Sequence, residues 1–174
     1  ARNIHDVVAG YGEIWSTRLF REFYSGRTGR SGEVRWLDAR EVVVVESGPL
    51  GPMVQWEASN ERIASSIEPG FDGAVIITGF IASDPRGVQT TLGRNGSDFS
   101  ASIFGALLDA ETIHIWKDVD GVLSADPRRV PDAEVIDSLS YDEAMELAVA
   151  GDTIATRTVQ ARAFVPNADH RLKP

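Results

Sequence analysis

Gly73-Ala74-Val75-Ile76-Ile77-Thr78-Gly79 is an unbroken apolar run framed by glycines. A strand that is apolar on both faces is one buried on both faces, as in a parallel sheet layered between helices. The run therefore predicts a strand at the centre of such a sheet. Downstream, Asp84-Pro85-Arg86-Gly87 reads as a turn joining Phe80-Ile81 to Val88-Gln89-Thr90-Thr91 in a hairpin flap. Ser97 then suits an N-cap, and Phe99, Ile103 and Leu107, with Ala101, Phe104 and Leu108, form the stripe of a helix ending near Ala110. Thr112 to Trp116 is the next predicted strand, and strand, helix, strand is a βαβ unit.

Upstream, Ile4, Val7, Val8, Tyr11, Trp15, Leu19, Phe20 and Phe23 recur at steps of three and four. That period predicts a long helix, loosened near Gly10 and Gly12. Gly26 to Gly32 reads as a loop, Val34 to Leu37 and the run Val42 to Val45 as short strands, Ser47 to Pro52 as a loop, and Ser59 to Ile67 as a helix. Ser140-Tyr141-Asp142-Glu143 is a capping box opening a further helix. Trp15, Trp36, Trp56 and Trp116 show no shared period and are assigned to core and interface, Trp116 to packing.

The chain has 174 residues, 43% hydrophobic and 25% charged, which fits one globular α/β unit or a large part of one. No apolar run reaches the roughly 20 residues of a membrane span, and the N-terminus lacks signal-peptide order, so a cytoplasmic protein is expected. Without cysteine there is no thiolate site, and His5, His114 and His170 are scattered without ligand spacing, so no metal site is expected. A net charge of -9 disfavours nucleic-acid binding.

Two stretches carry chemistry. In Thr90-Thr91-Leu92-Gly93-Arg94-Asn95-Gly96-Ser97-Asp98 the glycines allow close backbone approach, Arg94 offers a planar fork to a carboxylate, and Ser97 opens a helix whose free N–H groups favour anions. Taken alone, the same stretch also reads as a Gly-rich turn with an N-cap Ser and a dipole-complementing Asp98. Ile115 to Arg128 leaves a predicted strand end into an acidic loop, where open α/β sheets bind ligands. A calcium loop is rejected, because the bidentate acidic position falls on Pro127.

Together, Gly93-Arg94-Asn95-Gly96-Ser97-Asp98-Phe99-Ser100, Ile115 to Val122 and Asp126-Pro127-Arg128 resemble the core of aspartate kinases, in the amino-acid kinase family. Gly12-Glu13-Ile14-Trp15-Ser16-Thr17, Thr78-Gly79-Phe80-Ile81 and Leu139 to Leu147 resemble further segments of the same family, in the same order. The resemblance implies an incomplete three-layer αβα sandwich with a mainly parallel central sheet, residues 1–174 forming part of a catalytic domain. It implies ATP-dependent phosphorylation of the L-aspartate side-chain carboxylate, the first step toward lysine, threonine and methionine, with Mg²⁺ arriving on the nucleotide. By it, Glu13, Phe80, Arg94, Asn95, Gly96 and Ser97 line the amino-acid site, Arg94 pairing the substrate carboxylate and Glu13 facing its ammonium. Asp98 orients catalytic groups, and Lys117, Asp118, Leu123 and Arg128 fall at ATP positions. A homo-oligomeric parent is also implied. Taken singly, Glu13 would be a solvated helix residue, Phe80 core and Arg128 a surface side chain.

The pattern departs from the family at several places. Lys117 and Leu123 stand where relatives often have Thr and Tyr, and Thr153 stands at the nucleotide-binding lysine. The Lys-Phe-Gly-Gly-Thr loop and the regulatory domains have no counterpart in the chain, which runs from Ala1 to Leu172-Lys173-Pro174 and reads as a fragment, weakly active or inactive alone. Phosphoryl transfer depends on positioning and charge stabilisation, so one missing cation lowers its rate by roughly 10²-fold or more. The alternatives are a non-catalytic remnant serving as a ligand-binding or subunit-interaction module, and a kinase of another small acid or of a nucleoside monophosphate.

Overall fold

The computed structural model describes residues 2–29, 33–49, 51–93, 96–116, 121–140, 142, 143 and 146. By compactness the chain divides into two units, Ala1–Ser100 and Ala101–Pro174. Among the described residues, no helix is long and apolar enough to cross a membrane.

The first unit opens with helix α1 (Arg2–Thr28), which runs through Gly10 and Gly12 without a break. Gly10 is buried where the Gln89 side chain comes so close that a Cβ would collide with it. This glycine serves close approach, not loosening. Gln89 Nε2 donates to the Asp6 carbonyl at 2.7 Å, tying the strand that carries it to the helix.

Strand β1 (Val34–Leu37) pairs in parallel with β4 (Ala74–Ile77), Val34 opposite Ala74 and Leu37 opposite Ile77. The apolar run thus forms a parallel strand as expected, although it is half-buried along its length and, among the described residues, pairs only with β1. α1 packs against both. Trp36 anchors it there, with Nε1 donating to Thr17 Oγ1 at 3.0 Å and the Arg18 guanidinium 4.3 Å above its ring.

The Val42–Val45 run is a strand only in part: Val42 ends a helical turn, Val44 forms an isolated parallel bridge with Ser83, and Val45 opens the next strand. Asp38, at the carboxyl end of β1, caps a helical turn, α2 (Ala39–Val42), by accepting from Arg40 N at 3.0 Å. All four valines are buried, so tertiary packing overrides the local preference. Val44 N donates to Ser59 Oγ, Val44 O accepts from Gln55 N and Val43 O accepts from Ser83 N, which satisfies the buried backbone partly by a side chain and partly by bridging. Strands β2 (Val45–Gly48) and β3 (Gly51–Val54) then form an antiparallel hairpin that takes in the Ser47 to Pro52 stretch expected to be loop. Helix α3 (Trp56–Ser66) starts three residues before the sequence expectation.

The hairpin predicted around Asp84 is present. Strands β5 (Ile81–Ser83) and β6 (Gln89–Thr91) are antiparallel, and Gly87 N donates to Asp84 O at 2.9 Å. Asp84 Oδ1 also accepts from Arg86 N and Val88 N, and Arg86 pairs with its other oxygen, which holds the Asp84 carboxyl below its usual range. Ile81 and Ala82 are fully buried, so this is a packed hairpin, not an exposed flap.

Helix α4 (Gly96–Leu107) begins at Gly96, placing Ser97 in the first turn and not at the cap. Phe99, Ile103 and Phe104 are its buried stripe. It ends as a Schellman motif: Asp109 adopts φ 48, Ala110 N reaches Gly105 O, and Asp109 N reaches Ala106 O.

In the second unit, the strand expected over 112–116 is absent. A strand needs a partner ladder, and among the described residues none pairs with it, so the expected βαβ unit is not completed there. Ile113 packs on Gly105, while Trp116, expected to pack, is 91% exposed. Farther on, Leu123 and Val135 form an antiparallel bridge. The capping box is present, with Ser140 N and Oγ each donating to Glu143 Oε2 at 2.8 Å.

α1 presents a second surprise. Ile4, Val8, Tyr11, Trp15, Leu19, Phe20 and Phe23 all stand exposed, Leu19 at 73%, and of its apolar residues Ile14 is buried. The helical period is present, but periodicity does not say which apolar side faces the core. Trp15 is thus neither core nor covered here.

Candidate functional site

Strand β4 ends in Thr78-Gly79-Phe80, at the carboxyl edge of the parallel pair, where open α/β sheets bind ligands. Thr78 is fully buried, and its Oγ1 accepts from Ala39 N at 2.8 Å, which welds this end of β4 to α2. The chain then turns sharply. Ile81 N donates back to Gly79 O at 2.7 Å across Phe80, whose φ is 67. A two-residue closure around a positive φ is the strained form of the γ-turn, rare for any residue with a Cβ.

The start of α4 lies against this turn. A Cβ built on Gly79 would touch Ser97 at 3.6–3.7 Å, and one built on Gly96 would sit 2.7 Å from Phe80 Cδ2. Phe80, Gly96 and Ser97, three of the residues expected to line an amino-acid pocket, are therefore brought together. Phe80 is half-buried, Gly96 buried and Ser97 exposed; Asp98 is half-buried in the first helical turn. An acidic residue there complements the helix dipole.

Glu13 lies on α1, the helix packed along β1, β4 and β6. It is half-buried, and desolvation raises its pKa above the ordinary glutamate value. That is not the freely solvated carboxylate expected of an isolated helix-face glutamate.

Arg94, Asn95, Lys117 and Asp118 lie outside the described residues. The remaining nucleotide candidates belong to the second unit. Leu123 is half-buried in its bridge to Val135. Arg128 is exposed and forks onto Asp126, Nε at 3.1 Å and Nη2 at 3.0 Å, which lowers the Asp126 pKa.

Sequence reasoning missed Ser100. Its Oγ accepts from Phe80 N at 2.8 Å and donates to Gly96 O at 2.8 Å. The available signal was a serine inside a helix, four residues after a glycine whose carbonyl it could bond. It also missed the Asp38, Arg40 and Gln89 chain, in which Arg40 forks onto Asp38 and donates to Gln89 Oε1 at 2.7 Å. A cavity of about 260 Å³ lined by Tyr24, Glu33, Val34, Asp72, Gly73 and Ala74 opens at the other, amino ends of β1 and β4.

Residues 2–168 match the model of the amino acid kinase family. The chain is 41% identical over 157 residues to the chloroplastic bifunctional aspartokinase/homoserine dehydrogenase 2 of Arabidopsis thaliana, covering 88% of this chain and 17% of that protein. It is 39% identical over 159 residues to bifunctional aspartokinase/homoserine dehydrogenase 2 of Escherichia coli, covering 90% of this chain and 19% of that one. In three dimensions it resembles E. coli aspartokinase III solved with aspartate and ADP, at TM-score 0.83 and 32% identity, over 97% of this chain and 36% of that one. The incomplete α/β fold expected from the sequence is thus the fold observed. The chain spans less than a fifth of those two bifunctional relatives' length and about a third of the solved enzyme's.

Proposed function

Because this chain belongs to the amino acid kinase family, we propose that it takes part in phosphoryl transfer from ATP to the side-chain carboxylate of L-aspartate, giving 4-phospho-L-aspartate and ADP. The observation that carries this reading is the junction of the Gly79-Phe80 turn with Gly96 and Ser97 at the carboxyl end of β4, in a chain similar to an aspartokinase bound to aspartate and ADP. Arg94 pairs the substrate α-carboxylate, Glu13 faces its ammonium, and Phe80, Asn95, Gly96 and Ser97 shape the pocket. Asp98 orients the reacting groups. Lys117, Asp118, Leu123 and Arg128 hold the nucleotide, with Mg²⁺ entering as part of that substrate complex.

An oxygen of the aspartate side chain forms a bond to the γ-phosphorus as the bond to the β,γ-bridging oxygen breaks, and ADP leaves with the electron pair. The protein contributes positioning and charge complementarity, the two main sources of rate in such a transfer. Hydroxamate formation from aspartate, ATP and hydroxylamine tests the reading; calorimetry with aspartate and with ADP supplies the binding half. A chain that neither turns over nor binds aspartate refutes it. Thr153, standing at the family's lysine position, favours a second reading as a module that binds without turnover. Aspartate binding without hydroxamate is the result that selects it.

Glu13→Gln supplies a sharper check. Loss of a charge-assisted contact to the ammonium predicts aspartate affinity about tenfold weaker at neutral pH. Thermal stability should not fall. Burial raises the folded-state pKa of Glu13 above its unfolded value, so the charged form is disfavoured in the fold, and its contribution to stability improves as pH falls through the folded pKa. The amide carries no such penalty. Over the same pH interval wild-type aspartate affinity should decline as Glu13 protonates, whereas Glu13→Gln should show no decline from this group.

A further inference from the structure

We propose that Ser100 is the positioning residue that fixes Phe80 in the amino-acid pocket, by locking the strained turn at the end of β4 to the first turn of α4. The inference deepens the aspartate-site reading and rests on it for the identity of the ligand. Phe80 has a β-carbon yet adopts φ 67. Such a conformation is disfavoured for a residue with a side chain and persists where the surroundings over-determine it.

Two contacts do so. Phe80 O accepts from Leu92 N at 2.7 Å, and Phe80 N donates to Ser100 Oγ at 2.8 Å. The serine hydroxyl is itself aimed, since its proton goes to Gly96 O at 2.8 Å and leaves its lone pairs for the Phe80 amide. Ser100 is 4% exposed, so no water readily replaces it. Through one hydroxyl, the backbone of Phe80 and the carbonyl of Gly96 are held in register, and the Phe80 ring lies over the Gly96 α-carbon with no room for a side chain between them. Ser100 need not touch the substrate; it sets where Phe80 and Gly96 stand.

Amide hydrogen exchange and calorimetry test this on the full chain. In the wild type the Phe80 amide should be protected; rapid exchange there overturns the proposal without any variant. Ser100→Ala should speed Phe80 exchange and weaken aspartate binding, each about tenfold, the loss expected for one buried hydrogen bond. ADP affinity should stay unchanged, which a general loss of structure would not allow. Ser100→Thr keeps the hydroxyl in a geometry that can still bond the preceding turn and should restore both values. Wild-type exchange and affinity in Ser100→Ala, or failure of a folded Ser100→Thr to restore them, overturns the proposal. If wild type binds no aspartate, the functional reading fails by itself, and Phe80 exchange in the same three proteins still decides what Ser100 does.

Discussion

Arg94→Ala is expected to weaken aspartate binding by roughly 10²-fold. A guanidinium on a carboxylate makes two parallel charge-assisted hydrogen bonds, each roughly twice as strong as a neutral one. Losing both, and leaving the substrate carboxylate unpaired, corresponds to about 3 kcal/mol. Gly93 adopts φ 76, and Gly96 N donates to Gly93 O at 3.0 Å, so the two glycines either side of Arg94 and Asn95 are drawn close at the foot of α4. Arg94→Lys keeps the charge but not the fork, and should fall between wild type and alanine. Calorimetric titration with aspartate reads all three. Equal affinity in wild type and Arg94→Ala would remove Arg94 from the site.

Gly96→Ala is expected to damage stability and binding together. The new β-carbon would stand 2.7 Å from Phe80 Cδ2, 3.1 Å from Leu92 Cβ and 3.3 Å from Phe80 Cα. The ring alone cannot absorb this, because the Phe80 backbone is held by Ser100 and Leu92. Overpacking of this kind destabilises by about 1–3 kcal/mol. Aspartate affinity should drop at least about tenfold, because relief requires the Phe80 turn to move. Gly12→Ala is the matched control: nothing lies within 4 Å of that Cβ, and an exposed helical glycine replaced by alanine should stabilise by roughly 0.5–1 kcal/mol. Urea denaturation of both variants separates crowding from the generic effect of removing a glycine. Equal midpoints would mean that the Phe80 and Gly96 contact is not tight in solution.

Local signals with one physical cause were legible in the sequence. The α1 period, the Asp84 turn and the Ser140 capping box each depend on neighbours within four residues, and each is present. Signals that depend on distant partners succeeded for β1 and β4 and failed elsewhere. Val42 to Val45 favours a strand by composition, but Asp38 starts a helical turn that takes in Val42, and only Val44 and Val45 reach pairing partners. Residues 112–116 have strand composition and no partner among the described residues. At the site, the glycines and Phe80 were recognisable as a motif, whereas the strain at Phe80 and the role of Ser100 were not. A positive φ at an aromatic residue leaves no trace in composition, and a bond between residues twenty apart has no period.

The outward apolar side of α1 sets how this polypeptide behaves as a colloid. At low ionic strength, around 0.01 M, the Debye length of about 30 Å lets the net charge of -9 keep copies apart. Near 1 M it shrinks to about 3 Å, and sulfate or phosphate strengthens apolar association at the same time. Ile4, Val8, Trp15 and Leu19, each at least 65% exposed, then become the adhesive surface. Ionic strength and salt type therefore set whether the polypeptide stays dispersed.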